Sequence, residues 1–366
     1  MGNIIMYATE CLRTFDESPF NEVDSLILSW LAYLHYPDDC VENGDFRVKD
    51  LFRAEMFDNI AHHVWFRKKT MELLTAAAAS PRFRDIRIIG YKQETDSDKQ
   101  FAAVTFELTP HVYYVAYRGT DATFAGWRED MRLALPEPIP SQQAAVDYLE
   151  KSAAVLDGGL LTGGHSKGGN LAVYAAAMCS REVQDRLIAV YSHDGPGFQS
   201  SFLGGEGFRR VRPLIHKTLP QASFVGMVFE QECEYGIVES DFISLAQHNP
   251  FYWRVENQSF CLADSLTVDA RLLYKSMNRW VDGLNDEDCE KFIGEVFNMI
   301  GKTDTADIME FCSHLVPNAA VIAKAIFFLS VDTKVFFIKI IYRFWASCFR
   351  SLPEVFGKKL LRAVAV

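Results

Sequence analysis

Residues 164–168 read Gly-His-Ser-Lys-Gly. A serine hydroxyl is a weak nucleophile until it is exposed and paired with a base. A sharp turn between a strand and a helix exposes it, and such a turn tolerates only small flanking residues because strand and helix approach closely. Gly164 and Gly168 flank Ser166 here, and Gly163 and Gly169 add room. Leu160–Gly164 reads as a short buried strand and Gly169–Cys179 as an alanine-rich helix. The start of that helix aims backbone N–H groups at an oxyanion forming beside the serine. The bland alternative is a glycine-rich turn without chemistry, and the strand–turn–helix context favours a nucleophile.

With a nucleophile on such a turn, the acid and then the histidine follow it in the chain. His193, His216, His248 and His314 lie downstream of Ser166. His193 sits inside a strand, His216 in a basic stretch that reads as helical, and His314 in a helical tail. His248 lies in Ala-Gln-His-Asn-Pro-Phe-Tyr-Trp, a late loop, and is the candidate base; a purely structural histidine is the alternative. Asp194 ends the strand after the nucleophile strand and precedes Gly195-Pro196-Gly197, which places it at the carboxyl edge of the sheet, where ligands bind. It is the candidate acid. Against it stand a turn-forming role for the same residue and Asp241, seven residues before His248. The oxyanion donors expected are Thr120, in the turn Arg118-Gly119-Thr120 after an early strand, and the backbone N–H of Lys167. Arg118 reads as a structural partner of Asp130, and Trp127 as packing.

The elements that must position these residues follow from periodicity. Apolar residues recur at helical spacing over 21–36, and 46–80 also looks helical. Ile86–Tyr91, Phe101–Leu108, Tyr113–Tyr117, Leu187–Ser192 and Ser223–Glu230 read as strands, and 141–156 as a helix. Strands alternating with helices imply a mainly parallel sheet covered on both faces. The expected architecture is an α/β-hydrolase-like core over residues 81–261, with a helical N-terminal segment over 1–80 and an all-helical extension over 262–366.

The chain has 366 residues and a net charge of −11, which argues against nucleic acid as a partner. Its eight cysteines are scattered without a CxxC pair, so neither a zinc ribbon nor a disulfide framework is expected. The N-terminus carries Glu10, Asp16 and Glu17 without a basic start, and Met6 stands where a myristoylation site wants Ser or Thr. Apolar runs at 318–329 and 335–348 are broken by Lys324, Lys339 and Arg343. They read as buried helices rather than spans, with peripheral contact to a membrane or a partner as the minor reading. A cytoplasmic location is expected, with no cofactor and no metal.

The segments NEVDSLILSWLAYL (21–34), YRGTDATFAGWREDM (117–131), GGHSKGGNLAVYAA (163–176), YSHDGPGF (191–198), SFVGMV (223–228) and AQHNPFYW (246–253) together resemble the Mbeg1-like proteins, a bacterial family of uncharacterised α/β-hydrolases, over roughly residues 20–260. The chain is also distantly similar to the class 3 lipases. That likeness implies an oxyanion donor in Arg118-Gly119-Thr120, and it places the acid near Ser223, where this chain has no carboxylate. The function expected is a serine hydrolase cleaving carboxylic esters of apolar acyl groups through Ser166, His248 and Asp194. A thioesterase or peptidase would use the same residues, and a non-catalytic binding protein that keeps the fold is the reading from another class.

Overall fold

The computed structural model describes residues 2–37, 45–62, 64–229 and 232–364. Three N-terminal helices of seven or more residues come first, α1 (Ile4–Glu10), α2 (Glu22–Leu31) and α3 (Arg67–Ala79), with a single helical turn at Phe57–Ile60 before α3. Asn21 starts α2 by accepting from the N–H groups of Val23 and Asp24, while the Asp24 carboxylate accepts from the Asn21 N–H. This reciprocal cap satisfies donors that a helix start leaves open. Asp24 also meets the buried guanidinium of Arg82 at 2.5 Å, which ties α2 to the chain entering the sheet.

The sheet follows in strict chain order: β1 (Arg87–Thr95), β2 (Gln100–Thr109), β3 (Val112–Tyr117), then helices α4 (Phe124–Arg132) and α5 (Pro140–Val155), β4 (Gly159–His165), α6 (Lys167–Met178), β5 (Leu187–His193), β6 (Ile215–Pro220) and β7 (Tyr235–Val238). The first three strands pair antiparallel, and β3 through β7 pair parallel. Alternation along each strand feeds two cores. Val104, Phe106, Tyr114 and Ala116 face the N-terminal helices. Phe101, Ala103, Val115 and Tyr117 face α5 and α6. Both faces are therefore dry, as parallel strands require. The C-terminal region is helical: α7 (Val268–Asp282), α8 (Asp286–Ile300), α9 (Leu315–Phe328) and α10 (Val331–Val364), with a short helix, Ile308–Ser313, before α9. The chain thus has an α/β-hydrolase-like, mainly parallel sheet flanked by helices, with a helical N-terminus and a helical C-terminal region.

Three expectations are corrected. Residues 46–80 hold one long helix, α3, preceded by short turns; Val48–Leu51 is a single 3-10 turn. The stretch around His216 is a strand, β6, because Pro213, in the 3-10 turn Arg212–Leu214, ends the short helix Glu206–Val211, and Lys217 through Pro220 are buried between neighbouring strands. Ser223–Val228 is not a strand: a 3-10 turn at Val225–Met227 folds it back toward the end of β5. Glu230, the last residue of that expected strand, lies outside the described residues, as does Cys40. The seven described cysteines are all free.

Candidate active site

Ser166 sits between β4 and α6 with φ 58° and ψ −131°. A non-glycine residue there is strained, and strain of this kind persists where the surroundings enforce it. The enforcement is visible: the Ser166 N–H donates to the His193 carbonyl at 2.9 Å. A Cβ on Gly164 would overlap the backbone of Gly168, and one on Gly168 would overlap the Tyr117 carbonyl. The two glycines are thus set by how closely α6 approaches β3 and β4.

Asp194 leaves β5 with φ 50°, and its N–H donates to the Thr218 carbonyl at 2.8 Å. Its carboxylate is fully buried. One oxygen, Oδ2, lies 2.6 Å from Nδ1 of His248. The other, Oδ1, accepts from the Ser223 hydroxyl at 2.5 Å and the Gly226 N–H at 3.1 Å. The carboxylate does not bond its own Gly195-Pro196-Gly197 turn. That turn is held instead by Asn170, whose amide donates to the Pro196 and Gly197 carbonyls, and by Lys217, whose ammonium donates to the Gly195 carbonyl. Burial pushes the Lys217 ammonium down to about 8.

The loop carrying His248 is pinned on several sides. The Gln247 carbonyl accepts from the Trp253 indole at 2.8 Å, and the Gln247 side chain bridges Ala222 and Phe242. The His248 carbonyl accepts from Nε2 of His165 at 2.9 Å, so His165 carries its proton there. The two imidazoles lie 4.6 Å apart, and burial, then the charge of His248, holds His165 well below the usual imidazole range. His165 neighbours Ser166 in the chain, so the contact brings the His248 loop to the nucleophile turn. No hydrogen bond joins the Ser166 hydroxyl to His248 among the described residues. The other histidines downstream of Ser166 are engaged elsewhere: His193 meets the Ser25 hydroxyl at 2.9 Å, His216 faces Glu22 at 3.7 Å, and His314 lies exposed beside Ser313 and Glu310. Asp241 pairs with Arg254 at 2.5 Å, away from His248.

Thr120 is buried after β3, and its hydroxyl donates to Asp130 Oδ2 at 2.5 Å. The hydroxyl is therefore committed, and the backbone N–H is left as the donor this turn can offer. Burial raises the Asp130 carboxyl to about 6. Lys167 does more than the sequence suggested: its buried ammonium reaches Glu129 at 2.8 Å and both oxygens of Gln100. Arg118 pairs with Asp121 at 3.4 Å, not with Asp130. Trp127 packs edge-on against Trp65, as expected, and its exposed remainder, 42% of the residue, also lines a cleft.

That cleft, about 290 Å³, has Ser166 and Lys167 in its wall. The rest of the wall is almost entirely apolar and comes from α4 (Trp127, Met131), the Ser223–Val228 turn (Phe224, Val225), α7 (Met277, Trp280) and α8 (Phe292, Ile293). The amphipathic faces of α7 and α8 thus form its roof. Among the described residues no cluster of three His, Cys, Asp or Glu is placed to hold a metal ion.

A glycine-flanked serine on a strained strand–helix turn at the carboxyl edge of a mainly parallel sheet is the arrangement of the α/β-hydrolase class. Here the buried Asp194 carboxylate meets a part-buried His248 whose loop bonds the residue preceding the serine. The Mbeg1-like family matches residues 77–298, well over half of the chain, and the chain belongs to that family. The match starts later than the segment 21–34 and takes in α7 and all but the last two residues of α8, so the residues roofing the cleft lie within it. Among solved structures the chain is similar to the native Rhizomucor miehei lipase propeptide complex, with 15% identity over 42% of this chain and 57% of that one at a TM-score of 0.32, so it spans less than two thirds of that chain. It is also similar to M37 lipase, with 14% identity over 58% of this chain and 71% of that one at a TM-score of 0.38. No curated protein matches the chain.

Proposed function

We propose that the protein is a serine hydrolase that cleaves carboxylic esters carrying apolar acyl groups. The observation that carries this reading is the 2.6 Å contact of Asp194 with His248, on a loop that also bonds the residue preceding Ser166. Asp194 accepts the Nδ1 proton of His248, which leaves Nε2 as the base. Nε2 takes the Ser166 proton as Oγ attacks the ester carbonyl, and returns it to the leaving alcohol. Water then attacks the acyl-serine with the same base. The backbone N–H groups of Thr120 and Lys167 hold the oxyanion; neither is engaged by another described group. The cleft roofed by α7 and α8 takes the acyl chain, and its apolar wall favours an alkyl group over a charged or peptidic one.

The test combines a fluorophosphonate probe with a panel of esters of varied acyl length. The wild type should label and turn over esters, and Ser166→Ala should do neither beyond the small residual rate that oxyanion donors sustain. A wild type that never labels would instead favour a binding protein that has kept the fold.

A further inference from the structure

Helix α10 buries one stripe and exposes the opposite one. Phe336, Ile340, Ser347 and Ser351 face inward. There the Ile340 carbonyl accepts from the Trp280 indole at 3.2 Å, and Ser351 accepts from Arg279 at 2.6 Å. An outward stripe of polar residues is the rule for such a helix. Instead Val335, Ile338, Tyr342, Trp345, Phe349 and Phe356 are all exposed, and their spacing of three, four and, last, seven residues puts them on one line. Helix α9 adds Val316, Phe327 and Phe328, each more than 70% exposed. Lys339 and Arg350 lie roughly 80–100° around the helix from the stripe, and they are exposed, as is Lys324 on α9. None of the three makes an ion pair among the described residues.

The charge is as uneven as the polarity. Residues 315–366 hold eight Lys and Arg against two Asp and Glu, in a chain whose net charge is −11. We infer that the outward face of α10 docks in the plane of an anionic phospholipid bilayer. Trp and Tyr favour the headgroup level, and long basic side chains beside them reach the phosphates while their stems stay in the apolar layer. No described helix is long and apolar enough to cross a membrane, so the contact is lateral. A second copy of the chain fits less well. Its seam would be crowded by four aromatic residues, and it would set a second row of basic flanks against the first without acidic partners. The inference does not depend on the chemistry of Ser166, but the two regions touch: Trp280, which bonds α10, also lines the cleft.

Flotation of the full chain with vesicles tests the docking. Two kinds are used, phosphatidylcholine alone and phosphatidylcholine mixed with phosphatidylglycerol. The wild type should bind the mixed vesicles, less so as salt rises. Replacing Trp345 and Phe349 together by Ser should lower binding to both vesicles at least about tenfold. Replacing Lys339 and Arg350 together by Glu should lower binding to the mixed vesicles by about fivefold or more per residue and leave phosphatidylcholine binding nearly unchanged. Both double variants should keep wild-type melting temperatures and fluorophosphonate labelling, which separates a failure of docking from a failure of the site. A wild type that floats with neither vesicle overturns the inference. So does binding indifferent to both pairs of substitutions. A dimer seen by light scattering that Trp345→Ser and Phe349→Ser dissolve, with no vesicle binding, assigns the face to a second copy instead.

Discussion

At the residue scale the unusual feature is a carboxylate held from both sides. The class 3 lipase pattern puts its acid near position 223, and this chain has Ser223 there. The serine donates to Asp194 Oδ1 together with the Gly226 N–H, and this leaves Oδ2 for His248. A Cβ on Gly226 would collide with Asp194 Oδ1, so that glycine is part of the same arrangement. Asp194→Asn should therefore keep the fold and the cleft but lower kcat/KM on a short ester by about 10³–10⁴, because a neutral amide favours the wrong imidazole tautomer. Ser223→Ala removes one hydrogen bond to a carboxylate whose other partners remain, and should cost roughly tenfold. Asp241→Asn should leave turnover unchanged, since Asp241 serves Arg254 at the surface. An Asp194→Asn enzyme within tenfold of wild type would remove Asp194 from the catalytic unit.

At the element scale, what was legible followed from how directly backbone geometry dictates residue type. The turn at Ser166 admits only small flanking residues, so the sequence announces it; Asp194 and His248 stand as candidates because they flank recognisable strand ends and loops, and the fold brings those two side chains together. Strand β6 was hidden because Lys217 is buried there with its ammonium on the Gly195 carbonyl, a contact made only once the turn after β5 is folded. The Ser223–Val228 segment has the composition of a strand, yet its Ser223 hydroxyl and Gly226 N–H are drawn to Asp194, and that local demand wins over strand propensity. Helices α7 and α8 were evident as helices, but nothing in their periodicity says that their apolar faces roof Ser166. Met277 of α7 offers the test of that placement. Met277→Trp should shorten the preferred acyl chain and Met277→Ala should lengthen it. Each should move the long-to-short ratio of kcat/KM by about tenfold or more while acetyl ester turnover stays near wild type. A ratio that neither substitution moves would put the acyl chain elsewhere.

At the scale of the whole molecule, the N-terminal helices are joined to the sheet by a polar thread inside an apolar core. Ser25 and Ser29 of α2 meet the Tyr114 hydroxyl, Ser25 also meets His193 Nε2, and the Tyr33 hydroxyl meets His165 Nδ1. His193 is fully buried, and burial pushes its imidazole down to about 4 from an ordinary 6.5. The folded chain thus keeps His193 neutral while the unfolded chain takes up a proton below the ordinary value. Protons bound only by the unfolded state favour unfolding, so the wild type loses stability as pH falls through 6.5, and the loss continues until the folded form titrates near 4. His193→Asn can still reach Ser25 but has nothing to protonate. Its melting temperature should be below that of the wild type at neutral pH, because the smaller side chain leaves space beside Trp253 and Phe260. The gap should then narrow steadily between about pH 7 and about pH 4.5, since only the wild type carries the penalty. The measurement is a series of thermal melts on both proteins in matched buffers. A gap that stays constant across that range would mean that His193 titrates in the folded chain near its ordinary value, and that the junction between the N-terminal helices and the sheet admits water.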